Sequence, residues 1–276
     1  MDGECGMKYG ICTTMNHYQD LCALGYDYIE LPGTGVRQMS PAQVRETSAV
    51  LRDGGKPCLG FNAYCGGDLP IVGEGYRKGA TYNYARELCE KGAELGIKSI
   101  GIGAPKARRL PLDYDLARAD AQCREFLAVT AGVAAEYGIT VLLEALNHTM
   151  CEYLLDTVAA WKMVKELGMD NLKLVLDFYQ AAMEGEEPEK LSSVLPEVRH
   201  LHISGYEPDG SRFHLREKDI PFCTKYVTWA QRMGYDGTIS VEADSDRFLT
   251  DARDSLDILR VVTNAGQRGA SSTKNT

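Results

Sequence analysis

The chain has 276 residues, 44% hydrophobic and 25% charged, with a formal net charge of -9 and a pI near 5.2. Those proportions belong to an ordinary globular protein, one large domain or two small ones, able to bury a large core without disulfides. The acidic balance argues against a nucleic-acid partner, no run reaches the roughly 18–20 apolar residues of a membrane helix, and the opening MDGECGMKYG lacks a signal-peptide pattern.

Along the chain, short apolar runs alternate with longer helical patterns. KYGIC (8–12) is the first run, and a helical stretch around 17–24 stops at Gly25. YDYIEL (26–31) is the second. SPAQVRETSAVLRDGG then offers Ser40 as N-cap, Pro41 in the first turn and Gly54 at the stop. PCLGFNA (57–63) precedes a helix over 76–95, and IKSIGIG (97–103) a helix over 115–137 ended by Gly138. ITVLLEA (139–145), a helix over 157–167, LKLVLDF (172–178) and a short helix near 188–195 follow. VRHLHIS (198–204), TISVEAD (238–244) and a closing helix over 246–262 complete the series.

Eight strand–helix units in this spacing predict parallel strands with helices outside, an α/β fold of the single-domain (β/α)8 TIM barrel type. A doubly wound open sheet is the competitor. It usually carries a glycine-rich phosphate loop after its first strand, and here TTMNHYQD stands there. Gly101-Ile102-Gly103 lacks the third glycine of a dinucleotide fingerprint. The barrel is expected over residues 1–265, and the small polar residues of 266–276 read as a disordered tail.

The stretch VLLEALNH (141–148) runs an apolar strand straight into Glu144. A carboxylate taken out of water needs a partner. Barrel enzymes place their chemistry at the C-terminal ends of the strands. The last four predicted strands end in Glu144, Asp177, His202 and Glu242. Neighbouring strands would bring these groups to one arc of one mouth, where three acids would raise one another's pKa. One divalent cation removes that repulsion. Oxygen-rich ligands with one imidazole suit Mn2+ first, with Mg2+ or Co2+ as alternatives and zinc compatible. Glu30, at the end of the second strand, is read as a substrate contact or helix cap.

These motifs (LLEALN, LVLDF, VRHLHIS and GYDGTISVEA) resemble the xylose isomerase-like barrel superfamily, and within it the sugar phosphate isomerase/epimerase group that includes the D-tagatose and D-allulose 3-epimerases. The resemblance covers almost the whole chain. It implies Glu144, Asp177, His202 and Glu242 as the ligands of one metal. It also implies a metal-stabilised enediolate, with Glu144 and Glu242 as the two proton-transferring carboxylates. The chain departs from the group at Gln180, where a histidine is usual, at His148, where an arginine is usual, and at Met150, where an acid is usual. His148 is therefore a candidate general base. A single base suits β-elimination, so a metal-dependent lyase is the alternative, resembling inosose dehydratases or the large subunit of C-glycoside deglycosidases, which works on 3-oxo-glycosides beside a small β-subunit.

In the loop GYEPDGSRFHLREKDIP, Arg212 and His214 are candidate substrate contacts, as are Asn62 and Gln180, with Phe61 and Tyr64 as candidate walls. Lys106, Arg108 and Arg109 read as a solvated basic face ahead of a phosphate contact. The nine cysteines form no C-x-x-C pair and read as reduced thiols, several in the core, of a cytoplasmic protein. The expected partner is a small carbohydrate or glycoside, and a homo-oligomer is expected.

Overall fold

The computed structural model describes residues 6–272, with side chains described as far as residue 264. Eight parallel strands close into a barrel: β1 (Lys8–Cys12), β2 (Tyr28–Pro32), β3 (Cys58–Asn62), β4 (Ser99–Ile102), β5 (Thr140–Leu143), β6 (Leu172–Asp177), β7 (Val198–Ile203) and, last in the chain, β10 (Thr238–Val241). The order round the barrel is β1-β10-β7-β6-β5-β4-β3-β2, so each strand lies beside its sequence neighbour and the first closes on the last. The α/β barrel expected from the alternation is the fold observed. Among the described residues no helix is long and apolar enough to cross a membrane.

The helices form the outer layer: α1 (Tyr18–Leu24), α2 (Gly33–Gln38), α3 (Pro41–Gly54), α4 (Lys78–Leu95), α5 (Leu116–Glu136), α6 (Thr157–Leu167), α7 (Phe178–Met183), α8 (Ile220–Arg232) and α9 (Phe248–Ser272). Their ends follow local chemistry. Ser40 and Gln43 make a capping box at the start of α3, and Asp115 and Asp156 cap α5 and α6. The stop of α3 falls one residue later than expected, at Gly55, whose φ of 72° suits a residue without a Cβ. The short helices α2 and α7 were not legible, because six residues carry too little periodicity. The closing helix is assigned as far as Ser272, so it takes in most of the segment read as a tail. Residues 273–276 lie outside the described residues.

The core has two shells. Ile29, Phe61, Ile100, Val141 and Leu201 on the strands are fully buried, as are Leu88, Phe126 and Leu259 on the helices. Of the cysteines, the eight described are unpaired and all but Cys22 are buried, which agrees with the reading of several as core residues; Cys5 lies outside the described residues.

A two-stranded antiparallel hairpin, β8 (Gly205–Tyr206) with β9 (Arg212–Phe213), rises from the end of β7. Its turn carries Gly210 at φ 85°, where a Cβ would meet the Thr149 side chain at 2.8 Å, and Tyr179 Oη donates to Gly210 O at 2.9 Å. The hairpin is thus pinned across the C-terminal mouth and returns Arg212 to it.

Candidate metal and active site

Parallel strands all end at one mouth, and alternate residues of a strand share a face. The register places Asp177 opposite His202 and His202 opposite Ser240. Glu144 and Glu242 follow the last residues of β5 and β10 and continue the same alternation. The result is one cluster: Glu144, Asp177, His202 and Glu242 each offer a ligand atom, and these atoms lie within 4.8 Å of one another. Asp177, His202 and Glu144 are buried, and Glu242 is partly open to the mouth.

Two buried atoms in the cluster have no hydrogen-bond partner, Glu144 Oε1 and His202 Nδ1. His202 Nδ1 faces Glu242 Oε2 at 3.2 Å. Three carboxylates and an unpartnered imidazole nitrogen are a donor set that fits a divalent cation.

The charge balance reflects this crowding. Burial pushes the Glu144 carboxyl up to about 8, and the charges of Glu242 and Asp177 add to the shift. Burial also raises Asp177, with Arg212 opposing. At Glu242 burial acts upward too, but Arg212 and His202, with a hydrogen bond from Asn62, hold the carboxyl well below its usual range. Arg212 is the protein's own counter-charge. Its Nη2 donates to Asp177 Oδ2 at 2.5 Å and lies 2.9 Å from Glu242 Oε2. Ser204 Oγ accepts from its Nε at 2.9 Å, and the guanidinium covers the Tyr179 ring at 4.8 Å.

A cavity of about 100 Å³ opens over the cluster, walled by Asn62, Gly103, Glu144, Leu146, Met150, Gln180, His202, Arg212 and Glu242. Ala63 (φ 44°) and Ala104 (φ 52°), both in its wall, adopt the left-handed backbone that non-glycine residues rarely hold. Asn62 Nδ2 donates to Glu242 Oε1 at 3.0 Å. Gln180 Oε1 accepts from the backbone and side chain of Asn147 at 2.8 and 2.7 Å, and its Nε2 reaches Met150 Sδ at 3.2 Å. Asn62, Gln180 and Arg212, singled out from the sequence, all reach this cavity.

Other expectations are corrected. The His148 ring is mostly exposed and pairs with Glu184 Oε1 at 2.6 Å, which also accepts from the His148 backbone N–H. It is absent from the cavity wall, because the chain turns outward after Asn147. His214 is buried on the far side of the hairpin, with Nδ1 3.1 Å from Ser255 Oγ. Strand β9 ends at Phe213, and the chain past it carries His214 to Ser255 of α9, while Arg212 faces the mouth. Glu30 neither caps α2, whose N-cap is Pro32, nor walls the cavity; it lies within the barrel among His200, His202 and Ser240. Phe61 and Tyr64 are core residues. Arg108, read as part of a solvated face, is fully buried, and its Nη2 donates to Ile102 O at 2.6 Å and Glu144 O at 2.7 Å. It props the backbone under Glu144. No sequence signal distinguished it from its exposed neighbours, since the discriminating fact is which carbonyls the barrel rim leaves unpaired.

Comparison with known proteins adds to this geometry. Residues 19–262 match the family described as xylose isomerase-like TIM barrel. A stretch of 140 residues is 34% identical to the 2-oxo-tetronate isomerase of Cupriavidus necator, covering 48% of this chain and 51% of that protein. The chain therefore spans about half the length of that curated relative. Among solved structures, the D-psicose 3-epimerase of Clostridium cellulolyticum H10 with D-tagatose superposes with a TM-score of 0.79 at 18% identity, over 93% of this chain and 99% of that one. The 3-keto-D-glucoside 4-epimerase of E. coli gives 0.75 at 19% identity, over 92% and 99%. The IOLI protein with a bound zinc atom gives 0.72 at 17%, over 94% and 98%. At these identities the structures show a shared fold.

Proposed function

The chain belongs to the xylose isomerase-like TIM barrel family, and from that premise we propose that it is a divalent-metal-dependent epimerase or isomerase of a small carbohydrate. The observation that carries the reading is the four-residue cluster, whose ligand atoms lie within 4.8 Å of one another at the barrel mouth. The isomerase and epimerase names of the relatives support it, as does the zinc atom of one fold neighbour. Mn2+ is the first candidate, with Mg2+ or Co2+ as alternatives.

Glu144, Asp177, His202 and Glu242 would hold the ion. When bound, it would supply a Lewis acid to substrate oxygens and ease loss of a proton from a neighbouring carbon. The chain's own residues do the rest. Round the barrel the order is Glu242 on β10, His202 on β7, Asp177 on β6 and Glu144 after β5, so the two glutamates flank the other two ligands. One takes a proton at one side of the substrate carbon and the other returns a proton at the opposite side. Asn62 fixes the Glu242 carboxylate. Arg212 offers a fixed positive charge to substrate oxygens. Met150 and Leu146 keep the inner wall apolar. The lyase alternative drew on His148 as a lone base, and that ring lies outside the cavity, so the two-carboxylate scheme is preferred.

Purified protein loaded with Mn2+ and incubated with small ketoses and 2-oxo sugar acids in D2O tests this. Deuterium entering the substrate with formation of an epimer or isomer, lost in Glu242→Gln, is the expected result. Release of water or an aglycone would support the lyase, and absence of metal uptake would refute the proposal.

A further inference from the structure

Glu30 is a buried acid with no place in the cavity wall. It stands on β2 and reaches across the barrel interior, past β1 and β10, to two histidines of β7. Its Oε1 takes His200 Nε2 at 2.7 Å and the Ser240 hydroxyl. Its Oε2 faces His202 Nε2 at 3.5 Å. Each partner is itself anchored. His200 Nδ1 lies 2.6 Å from Thr238 Oγ1, and Ser240 Oγ lies 3.0 Å from Tyr28 Oη. A serine hydroxyl has one proton, so donation to Glu30 leaves its oxygen free to accept from Tyr28. Glu30, His200, His202, Ser240 and Tyr28 are all buried, away from bulk water.

The two nitrogens of His202 therefore have different surroundings. Nε2 faces the Glu30 carboxylate, with Cys12 Sγ 3.9 Å away. Nδ1 faces the acid cluster and has no hydrogen-bond partner. An imidazole that binds a cation must present a lone pair on one nitrogen, and the other N–H is normally held by an outer acceptor that fixes ring and tautomer.

We infer that Glu30, tethered by His200 and Ser240, is a positioning residue that keeps the His202 proton on Nε2 and so turns the Nδ1 lone pair toward Glu144, Asp177 and Glu242. This rests on the metal-site reading above. Glu30 touches no part of the cavity; it acts through His202. The pair of histidines at 200 and 202 is explained by the same arrangement. Strand alternation puts both on the inner face, where the deeper one holds the carboxylate that orients the shallower one.

The test uses the full chain with 15N-labelled histidine. Long-range 1H–15N correlations read the protonation of each His202 nitrogen, with and without Zn2+. In the wild type Nε2 keeps its proton in both states, and added Zn2+ shifts Nδ1. In parallel, competition with a chromophoric chelator gives the metal affinity. Glu30→Gln is expected to lower it about 10–100-fold and to blur the Nε2–H signal. Ser240→Ala, which removes one donor to the far oxygen, shifts both in the same direction by less and serves if Glu30→Gln does not fold. Binding of Zn2+ through Nε2, or full affinity and an intact Nε2–H signal in both variants, would overturn the inference. If the wild type takes up no metal yet His202 carries its proton on Nε2 in a Glu30-dependent way, the positioning stands and the metal reading falls.

Discussion

Replacing Gly103 by alanine should damage the site without touching any ligand. Gly103 follows β4 beside Glu144. A Cβ built there lies 2.3 Å from Glu144 Oε2, whereas ordinary contact begins at 3.4 Å. The carboxylate end must therefore retreat by about 1 Å, a scale at which misplaced reacting groups lose on the order of 100-fold in rate. Because the obstructing atom is the end of a side chain, the fold itself should survive. Its φ lies outside the left-handed region, so alanine meets no backbone penalty there. Metal affinity should fall about 10–100-fold, or about 1.4–2.7 kcal/mol. Gly101→Ala is the control on the same strand, since its Cβ would meet only Phe61 O at 3.5 Å. Calorimetric titration with Mn2+, beside thermal unfolding of both variants, gives the comparison. Equal affinities for Gly103→Ala, Gly101→Ala and wild type would refute the placement of Glu144 as a ligand at that rim.

Two further outcomes are expected. Glu144 has a folded-state pKa of about 8, raised first by burial, against an ordinary value of 4.5. Its contribution to stability is thus fully present below about 4.5 and is lost as pH rises through about 8. Chelator-treated protein should unfold at lower urea near pH 9 than near pH 6, and Glu144→Gln should flatten that difference; no difference in the wild type would contradict the burial of an uncompensated acid. Arg108→Met should destabilise the protein by about 1–3 kcal/mol, because Glu144 O loses its guanidinium donor while Ile102 O keeps the Glu144 N–H. Urea unfolding reads the change, and unaltered stability would mean that the guanidinium is not seated under Glu144.

The sequence by itself determined the barrel and the four strand-end residues that meet at its mouth. Eight apolar runs alternating with capped helical patterns admit few folds, and acids at the ends of Leu143, Leu176 and Val241 runs are local facts that parallel strands turn into one cluster. Ser40 marked a helix start because capping is chemistry between near neighbours. The tertiary structure alone decided which polar residues face inward beyond those strand ends. His148 and His214 sit close in sequence to residues of the cavity wall, yet His148 turns to Glu184 and His214 to Ser255, away from the cavity. Glu30 became a partner of His200 and His202, residues 170 and 172 positions away, and Arg108 left the surface to fill the unpaired carbonyl of Glu144. Those contacts depend on barrel closure and on the hairpin folding back over the mouth, and both are long-range events that no window of sequence contains.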